Sequence, residues 1–180
     1  MVFFDFFKNI FCKKENEVTV QVTGNSESGI SVKVAKDLLE INGVAVDLPC
    51  DVSRLCEILG SAREDEKSTP LRSWMVWDDL GICCYIKGEL GVYSIEFRTQ
   101  ELFSLDSKPS HYPKSLYKGN ITISDAPWFQ VMRKGKKTQS YRSIRKGFGK
   151  YTLISEFASS QGDKTRSAKD YASFSIGVEH

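Results

Sequence analysis

The stretch WMVWDDLGICCYIKGELGVYSIEF, residues 74–97, decides the fold. It holds three short runs rich in β-branched and aromatic residues, cut by two turn signals: Asp78-Asp79-Leu80-Gly81, and residues 87–91 with their two glycines. Such runs between turn formers read as strands, and connections this short join antiparallel neighbours. The alternation places Trp74 and Val76, then Ile82, Cys84 and Ile86, then Tyr93, Ile95 and Phe97 toward a core, with Lys87, Glu96 and Arg98 on the solvent side. A three-stranded meander is therefore the predicted centre of an α+β, mostly β fold built from antiparallel hairpins and meanders.

Upstream, Ile30, Val32 and Val34 alternate with polar residues, Leu39 and Ile41 follow, and Asn42-Gly43 separates them from Val44, Val46 and Leu48. Asn-Gly between apolar-alternating runs signals a hairpin, because both residues tolerate positive φ. Asp51 reads as an N-cap, Val52, Leu55, Cys56 and Leu59 recur at helical spacing, and Gly60 supplies the stop, which predicts one short amphipathic helix. Residues 61–70, with Glu64, Asp65 and Glu66, read as a mobile acidic surface loop. Residues 17–22 alternate as a strand. Residues 1–14, apolar at Phe3, Phe4, Phe7, Ile10 and Phe11, predict an N-terminal amphipathic helix docked on the body. That helix lacks the basic start and unbroken apolar run of a signal peptide, and it falls short of the about 20 apolar residues of a bilayer span.

Downstream, Pro109 and Pro113 mark a connection over residues 99–117, after which the pattern restarts. Ile121 and Ile123 echo Leu39 and Ile41. Phe129 and Val131 echo Val44 and Val46 across a longer turn at 124–128, and strands at 151–157 and 172–178, joined by the polar loop 158–170, answer the meander. The expectation is one sheet-rich domain over 17–180, with two similar halves, 30–98 and 115–179, as the reading of that echo, and at most one short amphipathic helix in each. No second amphipathic helix shows in 133–147.

The net charge of +2 hides an asymmetry: residues 1–132 carry 14 Lys and Arg against 19 Asp and Glu, and residues 133–180 carry 11 against 4. Segregation of this kind points to a charged macromolecular partner, although a solvated basic loop accounts for the same run equally well. The five cysteines, Cys12, Cys50, Cys56, Cys83 and Cys84, form an odd set without C-x-x-C spacing. Buried reduced thiols and a cytoplasmic setting are expected, rather than disulfides or zinc. His180 suits either a native residue or the start of a purification tag.

Few residues are equipped for catalysis. Asp78 and Asp79, with Glu96 or the acidic loop, are candidates for paired carboxylates, but adjacent aspartates before Gly81 more often fix a turn. His111, in a Pro-flanked connection, reads as an exposed loop histidine; there is no Gly-x-Ser-x-Gly elbow, Walker A loop or G-x-G-x-x-G, and neither catalytic residues, metal nor cofactor are expected. The basic run 133–150 interleaves Lys134, Lys136, Lys137 and Arg142 with Tyr141, a composition that suits single-stranded nucleic acid through phosphate contact and stacking.

With the hairpin, the helix, Val76-Trp77-Asp78-Asp79-Leu80-Gly81-Ile82 and the later Pro113-Lys114-x-x-Tyr117-x-Gly119 in place, the chain resembles the immunity proteins of bacterial polymorphic toxins, including those of contact-dependent growth inhibition. The likeness spans about residues 30–133. It implies a non-enzymatic cytoplasmic inhibitor that plugs the active site of a cognate toxin domain, with a nuclease as the expected class. Glu64, Asp65, Glu66, Asp78 and Asp79 are the expected phosphate-mimicking contacts, and Lys134, Lys136, Lys137, Tyr141 and Arg142 the contacts on the basic side. The alternative is a nucleic-acid-binding or general protein-interaction module using residues 133–150.

Overall fold

A computed structural model describes residues 29–101, 110–138, 143–158 and 168–178; the segments predicted as the N-terminal helix and the strand at 17–22, together with Tyr141, Arg142 and His180, lie outside them. In chain order the first elements are β1 (Ser31–Ala35), β2 (Leu38–Ile41), β3 (Val44–Val46), α1 (Val52–Leu59), β4 (Arg63–Glu64), β5 (Ser73–Trp77), β6 (Ile82–Ile86) and β7 (Val92–Arg98). The second run comprises β8 (Asn120–Ile123), β9 (Ala126–Pro127), α2 (Trp128–Met132), β10 (Lys136–Lys137), β11 (Ser143–Phe148), β12 (Tyr151–Phe157) and β13 (Tyr171–Val178). The fold is mostly β, in two antiparallel-rich sheets with few helices.

Turn chemistry builds the smaller sheet. Asn42 and Gly43 both take positive φ, 52° and 76°, and join β2 to β3; Ser124 and Asp125, at 48° and 62°, do the same between β8 and β9. The five strands run β3-β2-β1-β8-β9, and the β1–β8 pair is parallel, with Val32 opposite Ile121 and Val34 opposite Ile123. Ile121 and Ile123, read from the sequence as an echo of Leu39 and Ile41, lie on β8 beside β1. The larger sheet runs β10-β11-β12-β13-β7-β6-β5-β4: two four-stranded meanders joined through their last strands, β13 and β7. The order hairpin, helix, meander thus occurs once within 30–98 and once within 115–179.

One apolar core lies between the sheets. Val32, Val34, Leu39 and Ile41 of the small sheet meet Ile82, Ile95, Phe97, Phe174 and Ile176 of the large one. Helix α1 adds Leu55 and Leu59, and α2 adds Trp128, whose ring lies 5.0 Å from that of Phe174. Each aliphatic side chain buried here contributes about 1.5–3 kcal/mol relative to exposure. Gly60 ends α1 at φ 84°, and its carbonyl accepts a 2.8 Å hydrogen bond from the Trp77 indole, which fixes helix to sheet.

Several expectations change in phase or type. On β5 the inward residues are Met75 and Trp77, and Trp74 and Val76 face the other side. Trp-x-x-Trp puts one indole on each face, so the alternation fits both phases. Residues 129–131 form helix, because Trp128 and Met132, four apart, are the buried pair. The basic run holds strands β10 and β11, anchored by the fully buried Ile144. Residues 61–70 are no free loop: β4 pairs with β5, and the Asp65 amide donates to the Trp74 carbonyl at 2.9 Å.

Candidate functional site

The core covers one face of the large sheet; its other face carries the polar and aromatic side chains that call for a functional account. Register aligns one continuous row across all eight strands of this outer face: Arg63, Val76, Cys83, Glu96, Ser175, Ile154, Arg145 and Lys136. A second row runs Trp74, Tyr85, Ser94, Gly177, Thr152 and Gly147. Apart from Val76 and Ile154, these positions are polar, small or aromatic, whereas the core face is almost wholly apolar.

One end of the outer face is sealed by the connection after β7. Arg63 donates to both Asp78 carboxylate oxygens, at 2.6 and 3.2 Å, and to the backbone carbonyls of Ser110 and Tyr112. The Lys114 amide donates to Asp78 at 3.1 Å. Burial alone raises the Asp78 pKa, but the Arg63 and Lys114 hydrogen bonds and charges hold it below the ordinary carboxylate value. Arg98, only 3% exposed, donates to the Pro113 carbonyl at 2.6 Å and pairs with Glu101. His111 is no exposed loop histidine: it stacks on Trp74 with ring centroids 4.3 Å apart, and burial lowers its pKa.

Beneath this seal the titratable groups are desolvated. Burial, and then the nearby Glu156, push the Glu96 carboxyl up to about 7, against the opposing Ser173 hydrogen bond and Arg98 charge; burial raises Glu156 as well. Glu96 and Arg98, expected on a solvent side, sit instead under the connection because it folds back over them. Burial raises the Cys83 and Cys84 thiols, which therefore stay protonated and unreactive at neutral pH.

The other end is open. A groove of about 350 Å³ lies there, walled by Tyr85 and Tyr93, floored by Ser94, Ser175 and Thr152, and bounded opposite by Arg145. A β-bulge creates its aromatic wall: Tyr85 pairs with Ser94 and Ile86 with Val92, so Tyr93 is the extra residue and swings to the outer face. Trp74, Tyr85 and Tyr93 form a chain of ring contacts at 5.2 and 6.5 Å. At the same end, the β4–β5 and β6–β7 connections meet through a hydrogen bond from the Gly88 amide to the Leu71 carbonyl. They display Leu71 at 76% exposure and Leu90 at 45%.

The residues expected to contact a partner differ in exposure. Glu64, Glu66 and Asp79 are exposed, whereas Asp65 is 4% exposed and Asp78 is bound by Arg63, whose charge Asp65 and Glu66 also face. Lys134 is exposed in the turn after α2, and Lys136 and Lys137 are exposed on β10, the edge strand, where lysines discourage edge-to-edge pairing. Sequence reasoning missed Tyr85, Tyr93, Arg145, Leu71 and Leu90; the available signal was large aromatics at the outward positions of the meander.

Residues 31–138 match the model of a family described as a domain of unknown function, DUF7738. No curated protein and no solved structure matches the chain. Among the described residues, no group of three or more His, Cys, Asp or Glu is arranged to hold a metal ion, and no helix is long and apolar enough to cross a membrane.

Proposed function

We propose that this chain, which belongs to the DUF7738 family, is an immunity-type protein: a non-catalytic cytoplasmic inhibitor that binds a cognate bacterial toxin domain, a nuclease, and blocks its active site. The observation that carries this reading is the open end of the outer face. Two exposed leucines, Leu71 and Leu90, stand at the same end of the sheet as a groove walled by tyrosines and bounded by an arginine. Tyrosine and arginine are among the residues enriched at the energetic centres of protein–protein interfaces, and two exposed leucines at the same end of the sheet add apolar area around them. The resemblance of residues 30–133 to toxin immunity proteins supplies the partner class. This reading sets the contact surface at this end of the large sheet, in place of the acids that the sequence suggests.

The test is co-expression with the toxin-type domain encoded beside the chain. Rescue of growth and co-purification of the two proteins support the reading. A neighbouring frame without such a domain, or one whose toxicity the chain leaves untouched, overturns it.

A further inference from the structure

We propose that the groove on the outer face takes an acidic segment of the protein partner, its carboxylates set against Arg145 and Lys136 and an adjoining apolar side chain against the wall formed by Tyr85 and Tyr93. The inference rests on the protein-binding reading above and specifies the chemistry of its partner. Lys136 is the direct cross-strand neighbour of Arg145 on this face. Lys87 stands at the opposite wall, its Nζ 5.2 Å from the Tyr93 ring centre. Three cations therefore surround the opening. The acids near this face are Glu96 and Glu156, whose pKa values burial raises, and the exposed Glu89 on the turn Gly88–Leu90.

Size and floor chemistry fit a side-chain ligand. A volume of about 350 Å³ lies at the small end of the about 300–1,000 Å³ of ligand pockets, suited to one or two side chains rather than a folded element. Ser94, Thr152 and Ser175 place hydroxyls along the floor, and Gly177 leaves it low. The rings favour a peptide over a stacked base. Trp74 is covered by His111, and Tyr85 meets Tyr93 edge-on at 90°, so the aromatic wall offers no run of open ring faces such as single-stranded nucleic acid uses.

Titration of the ¹⁵N-labelled full chain, followed by NMR, tests this with three probes: the peptide acetyl-Glu-Asp-Leu-Glu-Asp-amide, its Lys-for-acid counterpart, and a short oligo(dT). The expected result is salt-sensitive shifts at Ser94, Arg145, Ser175 and Gly177 with the acidic peptide alone, weakened at least tenfold in Arg145→Glu and in Lys136→Glu. Equal response to the lysine peptide, preference for oligo(dT), or acidic-peptide binding unchanged in both variants overturns the inference. Growth rescue by the Arg145→Glu chain, together with no acidic-peptide binding by the native one, removes the groove inference and leaves the immunity reading standing; native-chain failure to rescue removes the reading itself.

Discussion

Asp78, which the sequence offers as a turn-fixing residue more than as half of a carboxylate pair, is by its geometry a structural anion. Two hydrogen bonds from Arg63 and one from the Lys114 amide tie β4, β5 and the connection after β7 to one side chain. Asp78→Asn keeps the shape and leaves the half-buried Arg63 without its counter-charge, at an expected cost of about 1–3 kcal/mol at pH 7 by urea unfolding. The folded pKa of Asp78 is depressed, so this stability is present above the unfolded value and is lost as pH falls through the folded one. The difference between native and variant should therefore begin to shrink as pH falls past the ordinary carboxylate value of about 4 and vanish only below the depressed folded one. Glu96 has the opposite sign. With a folded pKa of about 7 against an ordinary value of about 4.3, the folded state binds the extra proton, so stability declines as pH rises between the two and levels off above. Glu96→Gln should flatten that decline, raising the melting temperature at pH 8 by several degrees and changing it by less than about 2 °C at pH 5.

Whether an element could be read from the sequence depended on whether its pattern had one phase. Asn42-Gly43, the helix ending at Gly60 and the strands at 74–97 and 151–157 were legible because turn residues and apolar spacing agree there. The phase of β5 was not, since its two tryptophans satisfy both faces. The outward placement of Tyr93 was not either, because a bulge is decided by cross-strand pairing rather than by the run itself. β11 was hidden by its charges: in Ser143–Phe148 a single buried Ile144 anchors a strand that reads as a basic loop. Ile144→Ala should accordingly cost about 2–5 kcal/mol by chemical denaturation, whereas Lys136→Ala, exposed on the adjoining edge, should stay within about 0.5 kcal/mol of the native chain.

For the whole molecule, the division into an inner core face and a worked outer face organises the account. The chain spends its aliphatic side chains between the sheets, seals one end of the outer face with the Arg63–Asp78 and Arg98–Pro113 contacts, and leaves the other end open around Tyr85, Tyr93 and Arg145. The candidate surface was only partly legible in sequence because its members come from β6, β7, β11, β12 and β13, and from two connections brought together by a pairing between the meanders. The basic run contributed Lys136 and Arg145 to it, and the acidic loop contributed scaffold.

The most direct test of the central claim is the nucleic-acid cleavage rate of the purified toxin domain encoded beside the chain, measured as the purified chain is titrated in. The account predicts a linear fall to no cleavage at one equivalent of the native chain. For the folded Leu71→Asp, Leu90→Asp variant it predicts a requirement at least tenfold higher, since each change removes apolar contact area and buries an unpaired carboxylate in the interface. Cleavage unchanged by excess native chain would contradict it.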